Sequence, residues 1–261
     1  MSDPILQSRL PHLAWMDPRT ARLPGVLPLE AGDDWVRVDD AFAGQMAERD
    51  RLIVAMPERV HALLPEGQAA AVELYTMVLD KIAGLPGYHC GGNAVVRPDG
   101  ARVVPDPDQP LLTLGRLVQQ DLCLMEAGAD GHRLTGAILC FPASWTLAQK
   151  LGRPLIGIHD GVVPYSEDVG RRVQRMFDAI RPDQPLWRMN FLTYDDHTLH
   201  QPRLEGQRRP QPVGHFYVRS ERQCFVRLPV TRAVVFSIHT YVVRAETLTA
   251  GERAALGAAI H

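Results

Sequence analysis

The 261-residue chain has no long apolar run and no excess of charge of one sign. No apolar segment approaches the roughly eighteen residues of a membrane-spanning helix, and the N-terminus lacks the basic start and apolar stretch of a signal peptide. Lys plus Arg (28) nearly balances Asp plus Glu (30), so no strong field attracts nucleic acid or an acidic membrane surface. We therefore expect a cytoplasmic protein with neither a nucleic-acid nor a membrane partner.

Closely spaced cysteines and nucleotide-binding loops are also missing. The four cysteines are scattered and include no CxxC pair, which argues against an iron–sulfur cluster in this chain. Cys123 and Cys140 lie in apolar runs and are expected to be buried thiols. The segment GLPGYHCGGN lacks both the GxGxxG order of a dinucleotide fingerprint and the lysine of a phosphate loop. The sequence therefore shows neither an iron–sulfur motif nor a nucleotide-binding motif.

The composition that is present, 46% hydrophobic and 22% charged residues, is typical of a globular protein. Residues 1–34 carry many prolines and little periodicity, which predicts an extended N-terminal arm that packs on the domain through Trp15 and Trp35. Residues 35–261 are expected to form a single domain.

Hydrophobic periodicity predicts amphipathic helices near residues 41–53, 66–84 and 111–120. Ser144 and Ser166 are expected to cap two further helices, and Thr249 with Glu252 forms a capping box for a last one.

Short apolar runs predict the strands. The runs at 121–126 and 134–141, split by the turn-like GADGH, favour a hairpin, and further strands are expected within residues 186–194, 215–228 and 233–243. Strands joined by short turns favour an antiparallel sheet with helices packed around it, so the predicted fold class is α+β.

Alternation along the last predicted strand places Ser237, His239 and Tyr241 on the face opposite to the apolar residues Val234, Phe236, Ile238 and Val242. On the preceding strand, Glu221 and Gln223 must face away from Arg222.

An ordered series of segments resembles the family of haem-dependent oxidative N-demethylases over about half the chain: LVQQDLCLME, LTGAILCFPASWTLAQKLG, IHDGVVPY, RMNF, SERQ and SIHTY. The resemblance implies a PAS-like sheet with haem iron held between the sheet and a helix or loop. It also implies dioxygen and a small amine as substrates, with electrons supplied from NADPH by a separate flavin and iron–sulfur reductase subunit.

Within this resemblance His159 is the expected iron ligand. It ends the apolar run PLIGIH and is followed by the DGVVP turn, so it can present a neutral nitrogen to iron while Asp160 or a backbone carbonyl fixes the other one. A histidine bonded only to a neighbouring carbonyl is the alternative. The family usually has two prolines in this turn, where the present chain has Gly161 and Val163.

Arg222, His239 and Tyr241 are further candidate cofactor-binding residues. The fork of Arg222 suits a haem propionate or an internal acid. His239 stands where the family tends to have arginine, and is a second candidate ligand, a propionate contact or a residue packed between strands. Tyr241 is able to orient bound oxygen or substrate, or to make a structural hydrogen bond.

Glu126 or Asp121 is a candidate for holding an alkylammonium charge, and Tyr165 and Asn190 for orienting oxygen or substrate. Structural hydrogen bonds are the alternative for each of them. The cluster of Asp195, Asp196, His197 and His200 is a minor candidate for a zinc site. Two other functions remain open: a haem or small-ligand sensor, and a relative of the family that has lost haem.

Overall fold

The computed structural model describes residues 3–21, 25–30, 32–158, 167–212 and 214–260. Its strands are β1 (Leu27–Pro28), β2 (His61–Leu63), β3 (His89–Gly91), β4 (Ala94–Val96), β5 (Arg102–Val103), β6 (Asp121–Gly128), β7 (Gly131–Ile138), β8 (Leu186–Tyr194), β9 (Tyr217–Arg227) and β10 (Val234–Arg244). Its α-helices are α1 (Phe42–Ala55), α2 (Pro57–Val60), α3 (Gln68–Ile82), α4 (Pro110–Leu117), α5 (Leu147–Lys150), α6 (Leu155–Ile158), α7 (Glu167–Ala179) and α8 (Ala250–Ile260).

A seven-stranded sheet in the order β1-β8-β9-β10-β6-β7-β2 forms the centre of the molecule. Its strand pairs are antiparallel throughout. The described chain is therefore mixed α+β with a large antiparallel sheet, which confirms the predicted class. A second sheet, β3-β4-β5, lies in the glycine- and proline-rich segment for which no strands were predicted.

The two sides of the large sheet are covered by different helices. On what we call the first face, Leu122, Leu124 and Val235 join a core cluster with residues of α1, α3 and α4. On the second face, Cys123 and Met125 join another cluster with residues of α5, α6 and α7. Cross-strand partners share a face, so the register assigns every side chain of β8, β9 and β10 to one face or the other.

The N-terminal arm packs against the domain as expected from its tryptophans. Trp15 is buried with Val218 and Val243, and Trp35 is buried in the cluster that contains α1 and α3. The amide of Gln7 donates to the Val242 carbonyl (3.0 Å), and the Val242 amide donates to Gln7 Oε1 (2.7 Å). The arm therefore borders β10 beyond the point where its pairing with β6 ends.

Of the predicted helix caps, one is confirmed and one is wrong. The capping box is confirmed, since Thr249 N donates to Glu252 Oε2 (2.7 Å) and Glu252 N to Thr249 Oγ1 (3.3 Å). The cap by Ser144 is wrong: α5 starts only at Leu147, and Ser144 has a positive φ of 65° with its hydroxyl 3.1 Å from the Tyr194 hydroxyl. A contact to a distant strand outcompetes the local cap. Ser166 lies outside the described residues.

The hairpin of β6 and β7 is confirmed, while α4 stops at Leu117, before the predicted end. The helix ends early because Gln119 and Gln120 make buried side-chain hydrogen bonds. Gly115 of α4 lies so close to β7 that a Cβ at this position would overlap the Ile138 side chain. Within the described ranges, no helix combines the length and apolar character needed to cross a bilayer.

Candidate functional site

The second face carries a polar cluster where β8 and β9 pair. Asn190 lies opposite Glu221, and Arg188 lies opposite Gln223. Asn190 Nδ2 and Gln223 Nε2 both donate to Glu221 Oε2 at 3.0 Å. The Asn190 side-chain oxygen accepts from the backbone amide of Glu221 (3.0 Å), which fixes its amide orientation. The Glu221 carboxylate is therefore held from two sides by neutral amides.

Arg219 supplies the charge that balances Glu221. Its Nη2 lies 3.3 Å from Glu221 Oε1, and both side chains are buried. The same guanidinium donates to the carbonyls of Leu199 (2.7 Å) and Phe141. A buried ion pair of this kind is tolerated when further hydrogen bonds engage the guanidinium. Here both Nη atoms are bound, while the buried Nε has no partner among the described residues. Arg219 also ties the sheet to the segments before α5 and after β8.

Arg188 belongs to this cluster by position but has no partner in it. None of its nitrogens makes a hydrogen bond to a described residue, and its Nε is buried. Burial lowers the pKa of the Arg188 guanidinium, and the Glu221 carboxylate opposes this shift. The second face thus presents a half-buried cation to which no described acid is bonded.

His200 lies one residue beyond Leu199, whose carbonyl binds Arg219. Its Nδ1 is 2.9 Å from the Cys140 carbonyl, and its Nε2 is buried with no partner among the described residues. Because a carbonyl only accepts, Nδ1 carries the proton and Nε2 keeps its lone pair. Metal-binding histidines are commonly oriented in this way. His132 also has a buried Nε2 without a partner, but its Nδ1 faces the Gln174 amide.

The candidate cofactor residues Arg222, His239 and Tyr241 lie on the first face, away from Asn190 and Glu221. This arrangement confirms the alternation predicted from the sequence. All three side chains are buried. The structure brings them together with one another and separates them from the polar cluster of the second face.

Arg222 has an internal acid. Its Nη2 is 2.5 Å from Asp33 Oδ2, its Nη1 donates to the Asp34 carbonyl (2.9 Å), and its guanidinium lies over the Trp187 ring. Burial alone would raise the pKa of Asp33, but hydrogen bonding by Arg37 and the charge of Arg222 hold it below its ordinary value. The sequence left two partners open for Arg222, a haem propionate and an internal acid. In the structure Arg222 pairs with the internal acid Asp33.

Both ring nitrogens of His239 are engaged: Nδ1 lies 2.7 Å from Gln120 Nε2, and Nε2 lies 2.8 Å from Asp39 Oδ2. Tyr241 lies beside it at 4.5 Å between ring centroids, with the two rings tilted by 47°, and burial raises the pKa of Tyr241 to about 12. These contacts give His239 and Tyr241 packing roles within the fold, and their cofactor roles stay predictions.

The two acids proposed for an ammonium group lie apart. Asp121 is fully engaged: Oδ1 accepts from Arg49 (2.6 Å) and Cys140 N, and Oδ2 from Phe141 N. Glu126 lies near the hairpin turn, past the last β6 residue that pairs with β10. That level is about 20 Å from Glu221 at roughly 3.4 Å per residue. The structure therefore does not bring Glu126 together with Asn190.

The zinc reading is wrong, because the described residues contain no group of three or more ligands suited to a metal ion. His197 binds Asp3 of the arm (2.6 Å), while Asp196 accepts from Thr198 N and Gln201 Nε2. The predicted iron ligand His159 and the candidate Tyr165 lie outside the described residues.

The fold and the polar cluster define the class of protein: an α+β chain with a large antiparallel sheet that carries a buried, charged site on one face. Its sequence matches the model of the family described as haem-dependent oxidative N-demethylase, alpha subunit-like, over residues 28–261. The chain belongs to this family, as the resemblance indicated. The family description indicates haem dependence and a subunit of a larger enzyme.

The residues of the second face fit a haem in two respects. The unpaired Arg188 guanidinium suits an anionic propionate, and His200 has the proton position and free nitrogen of a metal-binding histidine. The sequence reasoning missed both. For Arg188 a signal was present, since alternation in LWRMNFLTY places it on the same face as Asn190.

Proposed function

We propose that this chain is the haem-binding oxygenase subunit of an oxidative N-demethylase, acting in the cytoplasm on the N-methyl group of a small secondary or tertiary amine. Dioxygen, two electrons and two protons convert the methylamine into the demethylated amine, formaldehyde and water. Hydroxylation of the methyl carbon gives a carbinolamine, which collapses as the C–N bond breaks and the nitrogen takes the proton. Haem supplies the activation of dioxygen when it is bound.

The observation that carries this proposal is the family match over residues 28–261. The unpaired cation on the second face supports it independently, because a buried guanidinium is suited to an anionic cofactor. We further propose that the seven-stranded sheet is PAS-like and that the cofactor lies against its second face, between β8, β9 and α6.

In this proposal His159 would bind the haem iron, and His200 is the alternative among the described histidines. Asn190 and Tyr165 orient dioxygen or the amine, and Glu126 remains a candidate for the ammonium group. Glu221 fixes Asn190 rather than contacting substrate, since three side chains already bind its two oxygens. Arg219 in turn pairs with Glu221.

Electrons are proposed to come from NADPH through a separate reductase with flavin and an iron–sulfur cluster. The chain has no GxGxxG fingerprint and no CxxC pair in its sequence, so it lacks the motifs for binding the nicotinamide or holding a cluster. The partner subunit would therefore dock near the haem, while this chain provides the pocket for the amine.

The proposal is tested by reconstituting the purified protein with ferric haem and recording its visible spectrum. A saturable Soret band at one haem per chain, followed by amine-dependent formaldehyde release with a reductase, is the expected result. A Soret band without formaldehyde from any methylamine would indicate a sensor. Absence of specific haem binding would indicate a family relative that has lost the cofactor.

A further inference from the structure

Arg188 stands in an unusual position for a cation. It lies in β8 of the large sheet, its Nε is buried, and no described residue accepts a hydrogen bond from it. A guanidinium carries five N–H donors and cannot lose its charge at neutral pH, so burial without an acceptor is costly. Such an arrangement persists when a ligand supplies the acceptor.

The neighbouring charges do not compensate it. Glu221 is the acid nearest in the strand register, but its oxygens bind Arg219, Asn190 and Gln223. Asp121, the other buried acid of this face, is paired with Arg49 at 2.6 Å. With these two pairs neutral, Arg188 is the cation of the β8–β9 cluster that no described acid pairs with; Arg227, farther along β9, is bound by the backbone carbonyls of Ile180, Arg232 and Phe177.

We propose that Arg188 is the receptor for a single carboxylate that enters the second face from outside the chain. The planar fork of arginine matches the two oxygens of a carboxylate, and the residual charge of one suits a monoanion better than a phosphate dianion. Asn190 and Gln223 flank the position and are already oriented by Glu221. The amides make the site rigid without adding charge.

The carboxylate that binds Arg188 could belong to either of two molecules, which gives the proposal two forms. One is a haem propionate, and this form rests on the proposed function. The other is the carboxylate of the substrate itself, which would make the substrate an N-methylated amino acid instead of a simple alkylamine. The chemistry recognised by Arg188 is the same in both forms.

The first experiment compares binding of ferric haem and of its dimethyl ester, in which both propionates are neutral. Wild-type protein, Arg188→Met and Arg181→Met are titrated by Soret absorbance. Arg181 is the matched control, because it is an exposed arginine that pairs with Asp183 on the surface. If a propionate is the ligand, haem binds wild type about ten- to a hundredfold more tightly than the ester. That preference disappears in Arg188→Met and persists in Arg181→Met.

The second experiment uses protein without haem and measures the shift of the melting temperature by N,N-dimethylglycine and by dimethylamine. If the substrate supplies the carboxylate, only N,N-dimethylglycine stabilises wild type, and Arg188→Met abolishes the shift. This experiment needs no haem, so it tests carboxylate binding by Arg188 even if the protein does not bind haem. A failure of the proposed function can therefore be distinguished from a failure of Arg188 to bind a carboxylate.

If Arg188 had a purely structural role, replacing it would lower the melting temperature. The proposal predicts a different result. Arg188→Met without ligand should melt at or above the wild-type temperature, because the substitution removes a half-buried charge that no described acid pairs with. A lower melting temperature, together with an unchanged preference for haem over its ester and no response to N,N-dimethylglycine in wild type, would overturn the proposal.

Discussion

Arg222 pairs with Asp33 across the first face, with 2.5 Å between Nη2 and Oδ2, while its strand neighbours Glu221 and Gln223 belong to the second face. The strand β9 therefore separates two charge systems. On the first face the arginine has an acid from the N-terminal segment, and on the second face no acid among the described residues is bonded to Arg188. This contrast underlies the predictions for the two arginines.

For Arg222 we predict a structural role. Arg222→Met should lower the free energy of unfolding by about 3 kcal/mol, the lower end of the range for breaking a buried pair, because Asp33 keeps partial access to water. Chemical denaturation measures this loss. Haem affinity should change little. An affinity drop with unchanged stability would instead assign Arg222 to a propionate.

For the axial ligand we predict that His159→Ala removes or greatly weakens the Soret absorbance of the haem-loaded protein and leaves the far-ultraviolet circular dichroism unchanged. His200→Ala and His239→Ala are the comparison variants. Equal haem content in His159→Ala with loss in His200→Ala would transfer ligation to His200, whose Nε2 has no partner among the described residues. Loss only in His239→Ala would require breaking its contacts to Gln120 and Asp39.

Acid should weaken the contact between Asp39 and His239. Burial opposes ionisation of Asp39, but the hydrogen bond and charge of His239 lower the pKa of Asp39 below its ordinary value of 3.8. A lowered folded-state pKa contributes stability that is fully present above 3.8 and is lost as the pH falls through the folded-state pKa. The stability difference between wild type and Asp39→Asn should therefore be constant near neutral pH and shrink below 3.8. A difference that does not change with pH would contradict the ion pair.

Gly115 provides a test of the packing of α4 on β7. Glycine to alanine in a helix interior ordinarily stabilises by about 1 kcal/mol. Here the added Cβ would overlap Ile138 in the core, so Gly115→Ala should destabilise instead, by about 1–3 kcal/mol as in other overpacked cores. Gly115→Ala combined with Ile138→Val should recover part of the loss. A stabilised single variant would contradict the close approach.

Local patterns predicted the parts of this fold that local chemistry decides. The hairpin of β6 and β7, the alternation on β9 and β10, and the capping box of Thr249 and Glu252 all follow from residues close together in sequence. The failed cap at Ser144 shows the limit, because its hydroxyl binds Tyr194, fifty residues away.

The site was harder to predict for the same reason. Glu221 does not bind Arg188 because it pairs with Arg219. Arg222 has an acid partner because Asp33 reaches it from the N-terminal arm, which is distant in sequence. Strand alternation shows which of these side chains share a face. It does not show which acid each arginine meets, because that depends on contacts between segments far apart in sequence.

Formaldehyde release under defined electron supply tests the central claim most directly. Haem-loaded protein is incubated with dimethylamine and NADPH, first alone and then with a competent reductase, and formaldehyde, demethylated amine and NADPH are quantified. We expect no NADPH oxidation by the chain alone, and with the reductase one formaldehyde and one demethylated amine for each NADPH consumed. If the reductase-supplied protein forms no formaldehyde from dimethylamine or from any other methylamine, including N,N-dimethylglycine, the account of this chain as an N-demethylase subunit is contradicted.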